Sequence, residues 1–196
     1  HWAYRDLFRT AYPRVTFRPG SILDRSSEDD RLITAGGVTS WQDLALLLIA
    51  RLCGPVHATR TARVYLLAGH EDGQLPFAAM TGRVPAEDAV IAESLAWIAD
   101  NYSTSHAVAA MTQRSGLTPR TFARRFQQAT GRRPIDHVQA LRIEGARELL
   151  EGGRASVDDI GYDVGYGDPT FFRRLFKRTT GLTPAAYRRK FAPIAG

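Results

Sequence analysis

The apolar positions of residues 86–191 recur with the period of an α-helix. Ile91, Leu95 and Ile98 fall at i, i+4 and i+7, so they lie on one helical face. Only a few turn residues separate the periodic segments, which predicts a compact all-α domain with short connections. Seven helices are predicted: at 86–102, at about 105–114, after Pro119, at 134–153, at about 156–163, after Pro169 and at 184–191.

Residues 1–82 combine strand-like and helix-like patterns instead. Ser40 and Asp43 have the spacing of a capping box at the start of a strongly apolar helix, and Gly54 with Pro55 ends that helix. This mixture predicts α/β structure. The predicted elements are strands at 14–20 and 31–37, helices at 39–54 and 57–69, and a linker at 70–85.

One pattern occurs twice in the C-terminal part, at an offset of 49 residues in its first half and 50 in its second. The difference indicates one inserted residue in the turn of the second copy. The match extends over two helices and the turn between them. The matched positions are Val108, Met111, Thr112, Gly116 and Leu117 with Val157, Ile160, Gly161, Gly165 and Tyr166, then Phe122, Arg124, Phe126, Thr130, Gly131 and Pro134 with Phe172, Arg174, Phe176, Thr180, Gly181 and Pro184.

Each copy has the features of a helix-turn-helix. Gly116, or Gly165 in the second copy, permits a sharp turn, and a capping residue followed by proline starts the second helix. Phe122 and Phe126 lie four residues apart, which favours burial of that face. Arg120 and Arg124 lie on a different face near the helix N-terminus, the end at which a recognition helix meets base edges in the major groove.

The positive charge is concentrated in the same region. Residues 1–82 have a net charge of +1, and residues 83–196 have +5. Residues 114–133 contain six arginines and no acid, and residues 171–190 contain seven basic residues and no acid. A polyanion is the expected partner of such clusters, although a solvated basic face has the same composition. Arginine suits bidentate contacts with phosphate and guanine.

The helix predicted between the two copies, from Pro134 to about Gly152, has a length that fits DNA. Nineteen residues at ~1.5 Å each extend ~28 Å. Successive major-groove faces on one side of DNA are ~34 Å apart. One chain is therefore predicted to place two recognition helices in successive major grooves.

Residues 83–196 resemble the DNA-binding domain of the AraC/XylS family of bacterial transcription regulators, which has seven helices and two helix-turn-helix units. The resemblance is carried by "AAMTQRSGLTPRTFARRFQQATGRRPIDHVQALRIEGARELL" and "SVDDIGYDVGYGDPTFFRRLFKRTTGLTPAAYRRKF". It implies a sequence-specific transcriptional regulator. Gly167 and Pro169 depart from the polar residues that members often have there. The expected base-reading residues are Arg120, Thr121, Arg124, Thr170, Arg173 and Arg174, and the expected phosphate contacts are Thr118, Arg125, Arg132, Arg133, Lys177, Arg178 and Arg188.

Residues 1–82 resemble the C-terminal portion of a PfpI-type, class I glutamine-amidotransferase-like domain, as joined to AraC-type domains in GlxA- and AdpA-like regulators. The resemblance is carried by "HW", "LITAGGVTSWQDLALLLIARLCG", "ATRTARVYLL" and "GQLPF". It implies an incomplete flavodoxin-like α/β sandwich that serves effector sensing or dimerisation. The alternative is a hydrolase fragment fused to a DNA-binding module. The nucleophile turn of that family would lie upstream of the "HW" pair and does not occur in this sequence.

The residues themselves give little support to catalysis. Cys53, the one cysteine, ends an apolar helix and is expected to be a buried structural thiol. Motifs of the types G-x-S-x-G, Walker A and G-x-G-x-x-G do not occur in the sequence. We therefore predict no catalytic residues, no metal, no cofactor and no enzyme activity. The histidines lack metal-ligand spacing and are His1, His57, His70, His106 and His137.

The remaining expectations concern location and partners. The longest apolar run, residues 44–50, is far shorter than the ~20 residues that span a bilayer. A single cysteine excludes an internal disulfide, which fits a reducing cytoplasm. The expected partners are double-stranded operator or promoter DNA, a second copy of the chain in a homodimer, RNA polymerase and a small-molecule effector, with no membrane.

Overall fold

A computed structural model describes residues 1–25, 32–78 and 88–191 of the chain. The chain divides into two compact units, residues 1–78 and 79–196. They are called the N-terminal and C-terminal units below. The predicted boundary between residues 82 and 83, and the second half of the predicted linker, lie outside the described residues.

The N-terminal unit is a small mixed structure. Its strands form an antiparallel pair in which Leu23 lies opposite Ala35. The strand predicted at 31–37 is present in its central part. The strand predicted at 14–20 is wrong, because this segment consists of turns and irregular backbone and pairs with no strand among the described residues. The elements are α1 (Arg5–Ala11), β1 (Leu23–Arg25), β2 (Ile33–Ala35), α2 (Trp41–Cys53) and α3 (Pro55–Val64), with 3-10 turns at Trp2–Tyr4, Val38–Ser40 and Leu75–Phe77.

The capping box predicted for α2 does not form. The 3-10 turn runs directly into α2, so Ser40 already has helical dihedrals, and its hydroxyl donates to the carbonyl of Gly36. Asp43 instead accepts a hydrogen bond from the backbone N–H of His70 at 2.9 Å. The predicted end of the helix is confirmed: Gly54 follows Cys53 with a φ of +95°, a conformation that favours glycine.

The described part of the C-terminal unit, residues 88–191, consists of seven helices, as the apolar period predicts. Its buried residues form two cores, one for each copy of the repeat. The long helix belongs to both, because Val138 is buried in the first core while Ile143 and Leu150 are buried in the second. The helices are α4 (Ala89–Asn101), α5 (Ala107–Arg114), α6 (Pro119–Thr130), α7 (Pro134–Gly152), α8 (Val157–Asp163), α9 (Pro169–Thr180) and α10 (Pro184–Phe191).

The two helix-turn-helix pairs, α5–α6 and α8–α9, have the predicted turns. Gly116 and Gly165 have φ values of +67° and +93°, which a residue with a Cβ rarely adopts. A small residue is also needed where α8 crosses α9. A Cβ added at Gly161 would lie 3.0 Å from Cδ1 of Phe172, closer than ordinary van der Waals contact.

A junction at the middle of α7 connects the two cores. Tyr102 packs against both of them, and a Cβ on Gly145 of α7 would lie only 2.5 Å from its hydroxyl. Arg142 donates to the carbonyls of Tyr102 and Thr104 at 2.7 and 2.9 Å, and its guanidinium lies over the ring of Tyr166. Burial lowers the pKa of Arg142 and raises the pKa of Tyr166 to about 12. These contacts hold the two helix-turn-helix pairs in one arrangement.

Candidate nucleic-acid interface

The second helices of the two pairs, α6 and α9, begin and end in the same way. Thr118 caps α6 by accepting from the N–H of Thr121, and Asp168 caps α9 by accepting from the N–H of Thr170. Gly131 and Gly181 end the helices in left-handed conformations, each donating its N–H to a carbonyl of the last turn. The Asp168 cap adds negative charge at the N-terminus of α9, whereas the hydroxyl cap of α6 does not.

Helix α6 buries its phenylalanines and exposes its arginines. Phe122 and Phe126 are 1% and 0% exposed, with ring centroids 5.6 Å apart. Arg120 and Arg124 are exposed on the opposite side of the helix. The predicted core face and exposed face of this helix are therefore present. The base-reading role of this exposed face stays a prediction.

Helix α9 has the same division. Phe172 and Phe176 are fully buried, while Thr170, Arg173 and Arg174 are exposed. Two of these polar side chains have partners. The guanidinium of Arg174 lies 5.8 Å from the ring centroid of Phe171. Arg173 donates to Asp158 in the first turn of α8, and the two side chains form an ion pair.

Two of the expected phosphate contacts are held by acidic side chains. Arg125 donates to both carboxylate oxygens of Asp88 at 2.7 Å. Because Asp88 also caps α4, this pair ties α6 to α4. Arg133, at the start of α7, donates to both oxygens of Asp136 at 2.7 and 2.8 Å. The hydrogen bond from its arginine lowers the pKa of each carboxyl, so both pairs stay charged at neutral pH. These contacts favour structural roles for both arginines.

A third expected phosphate contact is also engaged within the fold. Arg188 of α10 donates from Nη2 to the carbonyl of Ala155 at 2.6 Å, and it is partly buried. Three other expected contacts, Arg132, Lys177 and Arg178, are exposed, and among the described residues their side chains make no hydrogen bond or ion pair. Arg132 follows the C-terminal end of α6, and Lys177 and Arg178 lie in the last turn of α9; their contact with phosphate stays a prediction.

Sequence reasoning missed two residues beside the expected base readers. Gln128 is exposed one turn after Arg124 and accepts from its Nη1 at 3.4 Å. The i, i+4 spacing from Arg124 could have identified Gln128 as part of the same face. Asp158 was missed because its contact with Arg173 depends on how α8 crosses α9.

The N-terminal unit contains a separate polar cluster in a cavity of about 180 Å³. Nδ1 of His70 lies 2.7 Å from Oδ2 of Asp43, and Nε2 of the same ring lies 3.4 Å from the hydroxyl of Thr39. His1 and Trp2 also line this cavity. The prediction that Cys53 is buried is wrong: the thiol is exposed, because the last turn of α2 is open to solvent, where the preceding Leu52 is 82% exposed.

The described residues contain neither a membrane-spanning helix nor a cluster of metal-ligating side chains. None of their helices has both the length and the apolar composition needed to cross a membrane. In this same part of the chain, no three side chains of His, Cys, Asp or Glu come together as metal ligands would.

Known proteins resemble this chain mainly over the C-terminal unit. The helix-turn-helix domain family matches residues 111–190. The MmsAB operon regulatory protein of Pseudomonas aeruginosa is 45% identical over 69 residues, which is 35% of this chain and 22% of that protein. The transcriptional regulator GlxA of Rhizobium meliloti is 26% identical over 194 residues, 97% of this chain and 58% of that protein. The chain thus spans less than two thirds of either relative.

Solved structures agree with the fold. The DNA-binding domain of AdpA, described as a global transcriptional factor and solved with a target DNA, is 33% identical, with a TM-score of 0.51 over 53% of this chain and 94% of that domain. The C-terminal domain of AraT, a response regulator from Geobacillus stearothermophilus, has a TM-score of 0.53 at 24% identity, over 58% of this chain and 92% of that domain.

The fold and these similarities define a class of double helix-turn-helix proteins. The chain belongs to the AraC/XylS family of transcriptional regulators. The resemblance of residues 1–82 to an amidotransferase-like domain, and with it their place in a flavodoxin-like sandwich, stays a prediction.

Proposed function

We propose that this protein is a sequence-specific DNA-binding transcriptional regulator that inserts α6 and α9 into successive major grooves of one duplex. The observation that carries the proposal is the duplication: each recognition helix buries a phenylalanine pair and exposes arginines near its N-terminus. The N-terminal residues of recognition helices contact base edges, and arginine is the side chain that most often contacts guanine. The complex of the AdpA domain with its target DNA supports the same role here.

The contacts divide into two classes in this proposal. The six exposed or partly exposed residues expected to contact bases give specificity, whereas Thr118, Arg132, Lys177 and Arg178 hold the DNA backbone. Arg125, Arg133 and Arg188 act first within the fold, since each is already bound to an acidic side chain or a carbonyl. We propose that they contact phosphate less than Arg132, Lys177 and Arg178 do.

For residues 1–82 we propose effector sensing or dimerisation in place of catalysis. The cavity with His70 offers polar side chains to a small effector, and the alignment with GlxA includes this region. A complete regulator of this kind would work in the cytoplasm and contact RNA polymerase. The His70–Asp43 pair favours the hydrolase alternative. However, the neighbouring hydroxyl, that of Thr39, is exposed, and the thiol of Cys53 lies at the end of α2, outside this cavity. The relatives are named transcriptional regulators, which also disfavours it.

Salt dependence of binding by the full chain tests the regulator proposal. Binding to duplex DNA releases counterions, so log K should fall linearly with log salt, by about 0.9 for each phosphate neutralised. Fluorescence anisotropy with labelled duplex at several salt concentrations measures the slope. A duplex selected by the protein from a random pool should bind more tightly than random duplex at every salt. Absent binding, or equal affinity for all sequences, would contradict the proposal.

A further inference from the structure

The second recognition helix contains an arginine whose position is set by a neighbouring helix. Arg173 of α9 forms an ion pair with Asp158 in the first turn of α8. Their side chains are 49% and 44% exposed, so the pair lies at the surface and not in the core. The carboxylate holds one edge of the guanidinium at Nη2, while the other N–H donors of this group stay available to a ligand.

The first helix-turn-helix lacks this pair at the equivalent positions. At the repeat offsets of 49 and 50 residues, Asp158 corresponds to Ala109 and Arg173 corresponds to Ala123. Both alanines are exposed on their helices. A helix-turn-helix of this chain therefore folds without either charged residue, and the pair is a feature of the second copy alone.

We propose that Asp158 is a positioning residue that makes Arg173 the main specificity determinant of the second helix-turn-helix, directed at a guanine in the major groove. The inference rests on the proposed function. Because Asp158 holds the guanidinium before binding, less side-chain freedom is lost when the base contact forms. The planar donors that remain are those that match the two acceptors of guanine.

The net charge of the Asp158–Arg173 pair distinguishes recognition of a base from non-specific attraction to phosphate. A lone arginine at the DNA surface attracts any phosphate and so raises affinity for every sequence. Arg173 with Asp158 adds no net charge, so the pair contributes little to non-specific binding. The carboxylate would also be repelled by a phosphate brought close to Arg173, which penalises the wrong contact. Asp158 therefore increases the difference in affinity between the operator and other DNA sequences.

The test compares the full-length wild type, Asp158→Ala, Arg173→Ala and the double variant on a selected operator and on random duplex. In Asp158→Ala we expect the ratio of operator to random affinity to fall about fivefold or more, the lower end for one bidentate base contact. Random-duplex affinity should rise, with a salt slope steeper by about 0.9, because Arg173 is free to bind a phosphate. The double variant should have the same ratio of operator to random affinity as Arg173→Ala alone, because Asp158 acts only through Arg173.

Asp163→Ala is the matched control, since it removes the same charge from an exposed site at the other end of α8. It should raise both affinities equally and leave the ratio unchanged. If Asp158→Ala lowers the melting temperature below the assay range, Asp158→Leu replaces it, because leucine has nearly the shape of aspartate but cannot accept a hydrogen bond from Arg173. Two results would overturn the inference alone. One is a variant at position 158 whose ratio of operator to random affinity equals that of the wild type. The other is an equal fall in this ratio when Asp158 is replaced in a chain that already carries Arg173→Ala. No preference by the wild type overturns the proposed function and the inference together.

Discussion

The arginines of the C-terminal unit have different roles because their neighbours differ. Arg125 is fixed by the carboxylate of Asp88, and Arg142 by two backbone carbonyls at the junction of the cores. Arg120 and Arg124 face solvent, and only a weak contact to Gln128 limits the second of them. Composition alone suggests a uniform basic surface. The contacts separate arginines that hold helices together from arginines that can meet a ligand.

Arg124→Ala tests whether the exposed face of α6 contacts bases. A bidentate arginine–guanine contact contributes roughly 1–3 kcal/mol of discrimination, so affinity for the selected operator should fall by about that amount while affinity for random duplex falls much less. Fluorescence anisotropy at one fixed salt concentration measures both.

The control is Lys177→Ala, which removes an exposed positive charge of α9 without a base-reading role. It should weaken operator and random duplex alike and lower the salt slope by about 0.9. If Arg124→Ala also lowers both affinities by the same factor, Arg124 only contacts phosphate.

Each recognition helix ends in a turn stabilised by a threonine. Thr180 donates its hydroxyl to the carbonyl of Phe176 at 2.9 Å and accepts from the N–H of Leu182 at 3.2 Å. Thr130 makes the equivalent contacts, with Phe126 at 2.7 Å and with the N–H of Arg132 at 3.2 Å. The repeated Thr-Gly pair thus fixes the direction in which the chain leaves the helix and enters the next one.

The two threonines should differ in their effect on stability. Thr180 is fully buried, so Thr180→Val keeps the shape but leaves the Leu182 N–H without its acceptor, which should lower the free energy of unfolding by about 1–3 kcal/mol. Thr130 is partly exposed, and water can replace its hydroxyl in Thr130→Val, so the loss there should be smaller. Urea titration followed by helical circular dichroism compares them. Equal losses, or a neutral Thr180→Val, would show that burial of this hydrogen bond does not matter.

The sequence predicts these elements well where the signal is local. The period of Ile91 and Ile98, and the proline and glycine that bound α7, are properties of neighbouring residues, and the helices follow. The strand predicted at 14–20 fails because strand formation depends on a partner elsewhere in the chain. The ion pair of Arg125 with Asp88 cannot be predicted from a local pattern for the same reason, since the two residues lie 37 positions apart in the chain. No local pattern distinguishes a phosphate contact from an internal ion pair.

At the scale of the whole C-terminal unit, α7 fixes the distance between the two recognition helices. Its nineteen residues span ~28 Å, close to the ~34 Å between successive major grooves. It is buried in both cores, and Gly145 allows Tyr102 to pack between them. Both helix-turn-helix pairs therefore present their exposed faces in a fixed relation, which a flexible linker would not provide.

A change in operator spacing tests this rigidity. Inserting about 5 base pairs between the two half-sites of the selected operator rotates one half-site to the opposite face of the duplex. Affinity should fall by about 2–6 kcal/mol, the value of about two base contacts. Inserting about 10 base pairs restores the face but adds a full turn of length, which α7 cannot span, so affinity should stay low. Arg120→Ala/Arg124→Ala, which binds through α9 alone, is the control and should respond little to either insertion. Recovery of wild-type affinity with the 10-base-pair insertion would mean that the two half-sites are bound by a flexible chain or by two separate chains, and that the fixed spacing argued from α7 is wrong.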